Sequence, residues 1–101
     1  MFKGLLFEVV RDGREAEEKA YREAAAKVLK RHGITEKVWK VSSRRRGEVM
    51  VEWGPFESEQ DLQAKYAKVD ADEEWQALQA ERAKTETIVA GSGELYALND
   101  S

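Results

Sequence analysis

The sequence contains no cysteine, a single histidine and a single proline. Without cysteine, the chain cannot form a disulfide scaffold, a thiolate metal site or a thiol nucleophile. The absence also fits a reducing compartment. The single histidine, His32, excludes a metal site built from several histidines of one chain. We therefore expect neither a metal nor another cofactor.

Long apolar runs and an excess of basic charge are also missing. The apolar stretch over the first ten residues is too short to cross a membrane and lacks a signal-peptide cleavage pattern. Lys and Arg number 17 and Asp and Glu number 20, which gives a formal net charge of −3. An acidic chain is a poor match for nucleic acids or anionic membranes. We predict a cytoplasmic protein that binds neither.

The length of 101 residues fits one domain. Hydrophobic residues make up 42% of the chain and charged residues 37%, whereas charged residues make up about 25% of a typical domain. A domain of this size buries only about 60–65% of the surface that its unfolded chain exposes. The core is therefore thin and open to support from a partner subunit. We predict one domain over residues 1–98 and a frayed tail over residues 99–101.

The spacing of apolar residues predicts strands and helices in the order β-α-β-β-α-β. The predicted strands cover residues 2–10, 36–42, 48–54, 85–89 and 94–98. The predicted helices run from the capping pair Asp12 and Glu15 to Arg31, and from the capping pair Ser58 and Asp61 to Lys84, with a bend near residues 69–72. This order is typical of the α+β ferredoxin-like fold, a four-stranded antiparallel sheet with two helices on one face.

Alternation along the strands divides the side chains between two sheet faces. We expect the more apolar set under the helices: Leu5, Phe7, Val9, Trp39, Val41, Val49, Val51 and Trp53. The opposite set is mixed, and its Lys40 and Glu52 are predicted to pair across the hairpin. A mixed face fits a partner sheet, so we predict a homodimer through it. The predicted interface comprises Leu6, Glu8, Lys40, Met50 and Glu52.

Residues 70–98 resemble the NIPSNAP-type branch of the dimeric α+β barrel superfamily. The matching residues are Asp72, Trp75, Gln76 and Ala77, followed by Glu94 and Leu95. The resemblance implies that two copies pair sheet to sheet. Its relatives include cofactor-independent antibiotic-biosynthesis monooxygenases, haem-degrading enzymes and decarboxylases. Some carry a histidine early in the second helix, where this chain has Lys65 or Tyr66, so the resemblance carries over the fold without that histidine.

Aromatic residues with polar tips are the main ligand-binding candidates. We predict that Trp53, Tyr66, Trp75 and Tyr21 line a pocket between sheet and helices; the alternative is that they fill the core.

Three charged features have a functional and a plainer interpretation. His32 is a weak candidate general acid–base, or a residue stabilised at a helix end. Glu8 and Glu52 are candidate paired carboxylates, or solvated side chains. The arginines at 44–46 are candidate phosphate-binding residues, or they form a solvated hairpin tip.

Three functions remain open. The first is a homodimer that binds a small hydrophobic or aromatic molecule in the sheet–helix cleft, with oxygenase-like chemistry as an extension. The second is a structural dimer without a ligand. The third and weakest is an RNA-binding module, because RGEVMVEW at 46–53 partly matches an RRM signature but has Glu48 and Met50 at the stacking positions.

Overall fold

A computed structural model describes residues 1–99. The strands are β1 (Phe2–Val9), β2 (Thr35–Lys40), β3 (Glu48–Phe56) and β4 (Glu94–Asn99), and the helices are α1 (Glu15–Arg31), α2 (Glu59–Asp70) and α3 (Glu73–Thr85). The four strands form one antiparallel sheet in the spatial order β2-β3-β1-β4. The helices pack on one face of it. The α+β ferredoxin-like arrangement expected from the sequence is therefore confirmed.

Two helix starts follow the side-chain caps that the sequence indicates. The Ser58 hydroxyl accepts a hydrogen bond from the Asp61 amide at 3.1 Å, at the start of α2. The Asp72 carboxylate accepts from the Glu74 amide at 2.9 Å, and this cap starts α3 at the predicted bend. The capping pair predicted for α1 is wrong, because that helix begins after Arg14 with no side-chain cap.

The strand predicted over residues 85–89 is also wrong. Helix α3 continues to Thr85 and ends where Glu86 adopts a left-handed conformation with φ of 51°. The following segment forms one isolated bridge, between Val10 and Ile88. At the chain end, Asn99 is the last residue of β4 and pairs with Phe2 of β1, so the predicted tail begins inside a strand. Residues 100 and 101 lie outside the described part.

The dry core lies between the sheet and α2, together with the C-terminal half of α1. Its buried members are Leu29, Ile34, Phe56, Leu62 and Val69, and the partly buried Phe2, Trp53, Tyr66 and Trp75 pack against them. The Tyr66 ring meets Trp53 and Phe56 edge to face, with centroids 5.9 and 5.6 Å apart. Aromatic rings therefore fill this half of the sheet–helix layer.

The predicted face assignment is right for β3 and wrong for β2. Val49 and Val51 are buried as expected. In β2, however, Val38 lies opposite Val51 and Lys40 opposite Val49, so these two side chains face the helices and Trp39 faces away. A one-residue change of register moves every side chain of a strand to the other face.

The same correction applies to β1 and divides the predicted dimer interface. Leu6 lies opposite Val51 on the helix side, and Glu8 lies two residues further along on that side. Lys40 joins them there, whereas Met50 and Glu52 lie on the other face. The predicted Lys40–Glu52 pair is therefore wrong.

No helix formed by residues 1–99 is long and apolar enough to cross a bilayer. The cytoplasmic location stays a prediction.

Candidate functional site

An open cleft of about 960 Å³ separates the N-terminal half of α1 from β2 and the start of β3. Its strand wall is mostly valine: Val9, Val10, Val38, Val41, Val49 and Val89. Its helix wall is charged: Glu15, Glu18, Lys19, Arg22 and Glu23. On the strand wall, the Val38 residue is 43% exposed although it lies on the helix side of the sheet. We name this space the α1 cleft.

The composition of α1 explains why the cleft lies at one end of that helix. In its C-terminal half, Ala25, Val28 and Leu29 are buried and hold the helix against the core. In its N-terminal half, the residues that face the sheet are charged, at spacings of three and four along the helix. Glu15, Lys19 and Glu23 are exposed and keep their charged heads near water instead of filling the interior. The helix is thus packed at one end and separated from β2 at the other.

A buried ion-pair network closes the inner end of the cleft. The Arg22 guanidinium lies 2.7 Å from the Glu18 carboxylate, on the same helix, and 2.8 Å from that of Glu8 on β1. It also lies 3.6 Å from Glu36 on β2. Arg82 of α3 contributes the second cation, 3.0 Å from both Glu8 and Glu18. The network ties two helices and two strands together.

Tyr21 and Glu36 complete the network, and burial controls the ionisation of both. The Arg82 guanidinium lies 4.1 Å from the Tyr21 ring centroid, and the Gln79 amide donates to the Tyr21 hydroxyl at 2.6 Å. Burial raises the pKa of Tyr21. Burial also raises the pKa of Glu36, against the lowering effect of a 2.8 Å hydrogen bond from the Trp53 indole.

None of the four predicted ligand-binding aromatics lines the α1 cleft. Trp53, Tyr66 and Trp75 pack against the dry core, and Tyr21 belongs to the ion-pair network. The sheet–helix layer thus contains a filled half and an open half, and the aromatics occupy the filled one. Within that half, the Tyr66 hydroxyl is buried without a hydrogen-bond partner among the described residues, and burial raises its pKa to about 12.

His32 lies at the other end of α1 and joins that helix to α3. Its ring nitrogen Nε2 lies 2.8 Å from the Asp72 carboxylate, which caps α3 and also pairs with Arg31 at 3.1 Å. These bonds from His32 and then Arg31 lower the pKa of Asp72. His32 therefore has a carboxylate partner, which the sequence did not reveal, but it does not line the cleft.

The lowered pKa of Asp72 predicts how stability depends on pH. The native state binds the Asp72 proton less tightly than the unfolded chain, so its carboxylate stabilises the fold above its unfolded pKa, ~3.8. That contribution is lost progressively as pH falls below this value toward the folded pKa. We expect Asp72→Asn, which keeps a helix-capping side chain, to lower the free energy of unfolding at pH 6 and to approach wild type near pH 2. Urea unfolding at both pH values measures this; a difference independent of pH would contradict it.

The face of the sheet away from the helices is uncovered. We name it the open face. Its larger apolar members are Leu5, Phe7, Trp39, Met50, Tyr96 and Leu98. Three of these are strongly exposed: Trp39 at 52%, Tyr96 at 46% and Leu98 at 45%. Glu52, the other half of the predicted carboxylate pair, lies on this face 3.9 Å from Lys3, with the sheet between it and Glu8.

The hairpin arginines border one end of the open face. Arg45 pairs with Glu48 at 2.7 Å, and Arg44 lies 4.5 Å from the Phe7 ring centroid. Both arginines also reach Glu94 on β4 at 3.0 Å. Arg44 and Arg45 are therefore both paired with carboxylates, whereas the Arg46 side chain extends into solvent.

Sequence reasoning missed the ion-pair network, although a signal for it was present. Glu18 and Arg22 are buried on α1 beside Tyr21 and Ala25, on the side of the helix that packs on the sheet. Arg82 follows Trp75 and Leu78 on one side of α3. Charges of opposite sign at apolar positions of two helices indicate a buried pair. Among residues 1–99, no three His, Asp or Glu side chains are arranged to hold a metal ion.

Comparison with known proteins places the fold. No protein-family model and no curated protein matches the chain. A solved NIPSNAP domain protein from Burkholderia xenovorans has a TM-score of 0.83 at 16% identity, covering 100% of this chain and 95% of that one. A NIPSNAP family protein from Agrobacterium tumefaciens has a TM-score of 0.79 at 19% identity, covering 99% and 85%. An antibiotic biosynthesis monooxygenase has a TM-score of 0.70 at 9% identity, covering 100% and 99%. The chain therefore has the ferredoxin-like α+β fold of these NIPSNAP and monooxygenase structures, as its resemblance over residues 70–98 implied.

Proposed function

We propose that the protein is a homodimer in which each subunit binds a small apolar or aromatic molecule in the α1 cleft. The cleft itself carries the proposal. Its volume of about 960 Å³ lies at the upper end of the range of about 300–1,000 Å³ that is typical of small-molecule sites. A valine wall left open to water, with Val38 exposed on the inner side of the sheet, is stabilised when an apolar ligand covers it.

The open face supports the homodimer. Exposed aromatic and aliphatic side chains that cluster on one surface are typical of protein interfaces. On this face Trp39, Tyr96 and Leu98 combine with the half-buried Leu5 and Phe7. Charged residues border the cluster, as the Arg44–Glu94 pair shows. A second copy placed sheet to sheet covers this surface without closing the α1 cleft, which lies on the other side of the sheet.

The alternatives are weaker on specific grounds. A structural dimer without a ligand agrees with the packed aromatics but leaves the open cleft unexplained. Oxygenase-like chemistry lacks a histidine at the cleft, because His32 lies nine residues beyond Glu23, or about 13 Å along the helix axis. The RNA-binding interpretation is disfavoured because carboxylates of Glu48 and Glu94 already pair with Arg44 and Arg45, the arginines that would bind phosphates.

Two adjacent residues of β2 test the two parts of the proposal separately. Val38 faces the α1 cleft and Trp39 faces the open face, with similar exposure. We expect Val38→Glu to weaken binding of the neutral fluorescent probe phenylnaphthylamine by about tenfold, because it places a charge on the apolar wall. The dimer should persist. We expect Trp39→Glu to weaken the dimer and leave probe affinity within about twofold.

Fluorescence titration measures the probe affinity, and sedimentation equilibrium measures the dimer. Circular dichroism of each variant confirms that it is folded. A wild-type protein that binds no probe would refute the ligand part of the proposal. A wild-type monomer at micromolar concentration would refute the dimer part. If Trp39→Glu abolished probe binding and Val38→Glu did not, the ligand site would have to be reassigned to the open face.

A further inference from the structure

The cations around the α1 cleft differ in how their charges are balanced. Arg22 is saturated by carboxylates of the buried network. Arg46 lies 3.4 Å from Asp12. Lys19 and Lys40 form no ion pair with any residue in the described part of the chain. Lys19, however, lies one helical turn from both Glu15 and Glu23, which balance it locally.

Lys40 has no such acidic neighbour beside it on its face of the sheet. The residue before it on that face is Val38, the residue after it is Ser42, and its partner across the ladder is Val49. Glu8, one strand further on, is already paired with two arginines. Lys40 is therefore a cation whose neighbours on this face of the strand wall are the apolar Val38 and Val49 and the uncharged Ser42. Because Lys40 is exposed, its attraction for an opposite charge is modest, but no carboxylate on this face competes for it.

Building on the proposed function, we propose that the ligand of the α1 cleft carries one anionic group, a carboxylate or its equivalent, that pairs with the Lys40 ammonium. The apolar part of the ligand lies on Val38 and Val49. Successive residues on one face of a strand are about 6.6 Å apart, so the two contacts suit a molecule the size of one or two fused rings. Lys40 is then the residue that selects the ligand class.

The opposite wall fixes the orientation of this ligand. Helix α1 presents Glu15, Glu18 and Glu23 to the cleft, and carboxylates on that side repel an anionic group. The anionic group therefore points toward β2, and the neutral ring edge points toward the helix. A cationic ligand would have the reverse preference, so the sign of the ligand charge is a sharp test.

Two probes with the same aromatic body separate the charge from the apolar contact. Anilinonaphthalene sulfonate carries an anionic group, and phenylnaphthylamine is neutral. We expect Lys40→Met, which keeps an apolar stem, to weaken sulfonate binding about fivefold and to leave the neutral probe within about twofold. The matched control is Lys37→Met, on the other face of the same strand. It should change neither affinity.

Salt and competition give two further readouts. Added salt should weaken sulfonate binding to wild type more than to Lys40→Met, because it screens the ion pair. Naphthoate should displace the sulfonate at lower concentration than naphthamide, its neutral isostere, and this preference should vanish in Lys40→Met.

The outcomes separate this inference from the proposed function. If the neutral probe binds and Lys40→Met affects both probes equally or neither, the anionic class is wrong while the cleft remains a binding site. If Lys37→Met weakens the sulfonate as much as Lys40→Met, the charge acts from the wrong face and the inference is overturned. If neither probe binds wild type, the proposed function and this inference fail together.

Discussion

Replacing Arg22 by Met is expected to lower the free energy of unfolding by about 3–5 kcal/mol, because it leaves carboxylates buried without their cation. Arg22 contacts Glu8, Glu18 and Glu36 from one buried guanidinium. Arg82 still pairs with Glu8 and Glu18, but Glu36 keeps only the Trp53 indole as a hydrogen-bond partner. A domain with a total stability of about 5–15 kcal/mol loses a large share of it in this way.

The matched control is Arg14→Met, next to the first residue of the same helix. Arg14 is exposed and pairs with Glu17 at 3.4 Å, and surface pairs of this kind contribute about 0–1 kcal/mol. Urea unfolding at pH 7 compares the two variants. The double variant Arg22→Met with Glu36→Gln should recover part of the loss, because the amide removes a buried charge and still accepts from Trp53. A loss no larger than that of Arg14→Met would show that the network does not stabilise the fold.

The pH dependence of the Arg22→Met defect has a definite sign. Burial already raises the pKa of Glu36, and Arg22 is one of the groups that oppose the rise. Without Arg22 the folded-state pKa rises further above the unfolded value. A carboxyl group with a raised folded pKa stabilises the fold when protonated, and this stabilisation is lost as pH rises through the folded pKa. The defect should therefore be smaller at pH 5 than at pH 7.

The elements that depend on local rules were predictable from the sequence. The end of α1 at Arg31 follows from its residue pattern, and the helix starts after Ser58 and Asp72 follow from their capping side chains. The predicted start of α1 at Asp12 failed because the chain turns at Gly13, which has a φ of 85°, and the helix begins only at Glu15. The Asp12 carboxylate instead lies 3.4 Å from Arg46 of the hairpin, a contact that a local pattern does not reveal.

The face assignment failed for a related reason. Apolar content alone placed Leu5 and Phe7 under the helices, but the pairing of β1 with β3 places Glu8 there instead. The two arginines that neutralise Glu8 come from α1 and α3, so its burial depends on three elements at once. The sequence therefore predicted a mixed face and a pocket between sheet and helices, but it assigned Glu8, Val38 and Lys40 to the face away from the helices. The cleft itself was visible only in three dimensions, because it arises from the separation of α1 and β2.

Gly4→Ala tests the packing of the filled half of the sheet–helix layer. A Cβ at this position would overlap the Tyr66 hydroxyl, whereas the next contacts, Tyr66 Cζ at 3.4 Å and Trp53 Cε3 at 3.6 Å, are ordinary. We expect Gly4→Ala to lower the free energy of unfolding by about 1–3 kcal/mol, as overpacked cores do. Tyr66→Phe alone should change stability by less than about 1 kcal/mol, because the hydroxyl it removes is buried without a partner among the described residues.

The double variant provides the decisive comparison. With the hydroxyl gone, the new methyl group meets only ordinary contacts, so Gly4→Ala combined with Tyr66→Phe should recover most of the loss and show strong coupling between the two sites. Gly93→Ala is the control: no atom lies within 4 Å of a Cβ there, so it should be neutral or stabilise slightly by restricting the unfolded chain. Thermal and urea unfolding measure all four proteins. Additive effects in the double variant would mean that the cost of replacing Gly4 arises from the backbone instead of from Tyr66, and the close approach of that ring to β1 would lose its support.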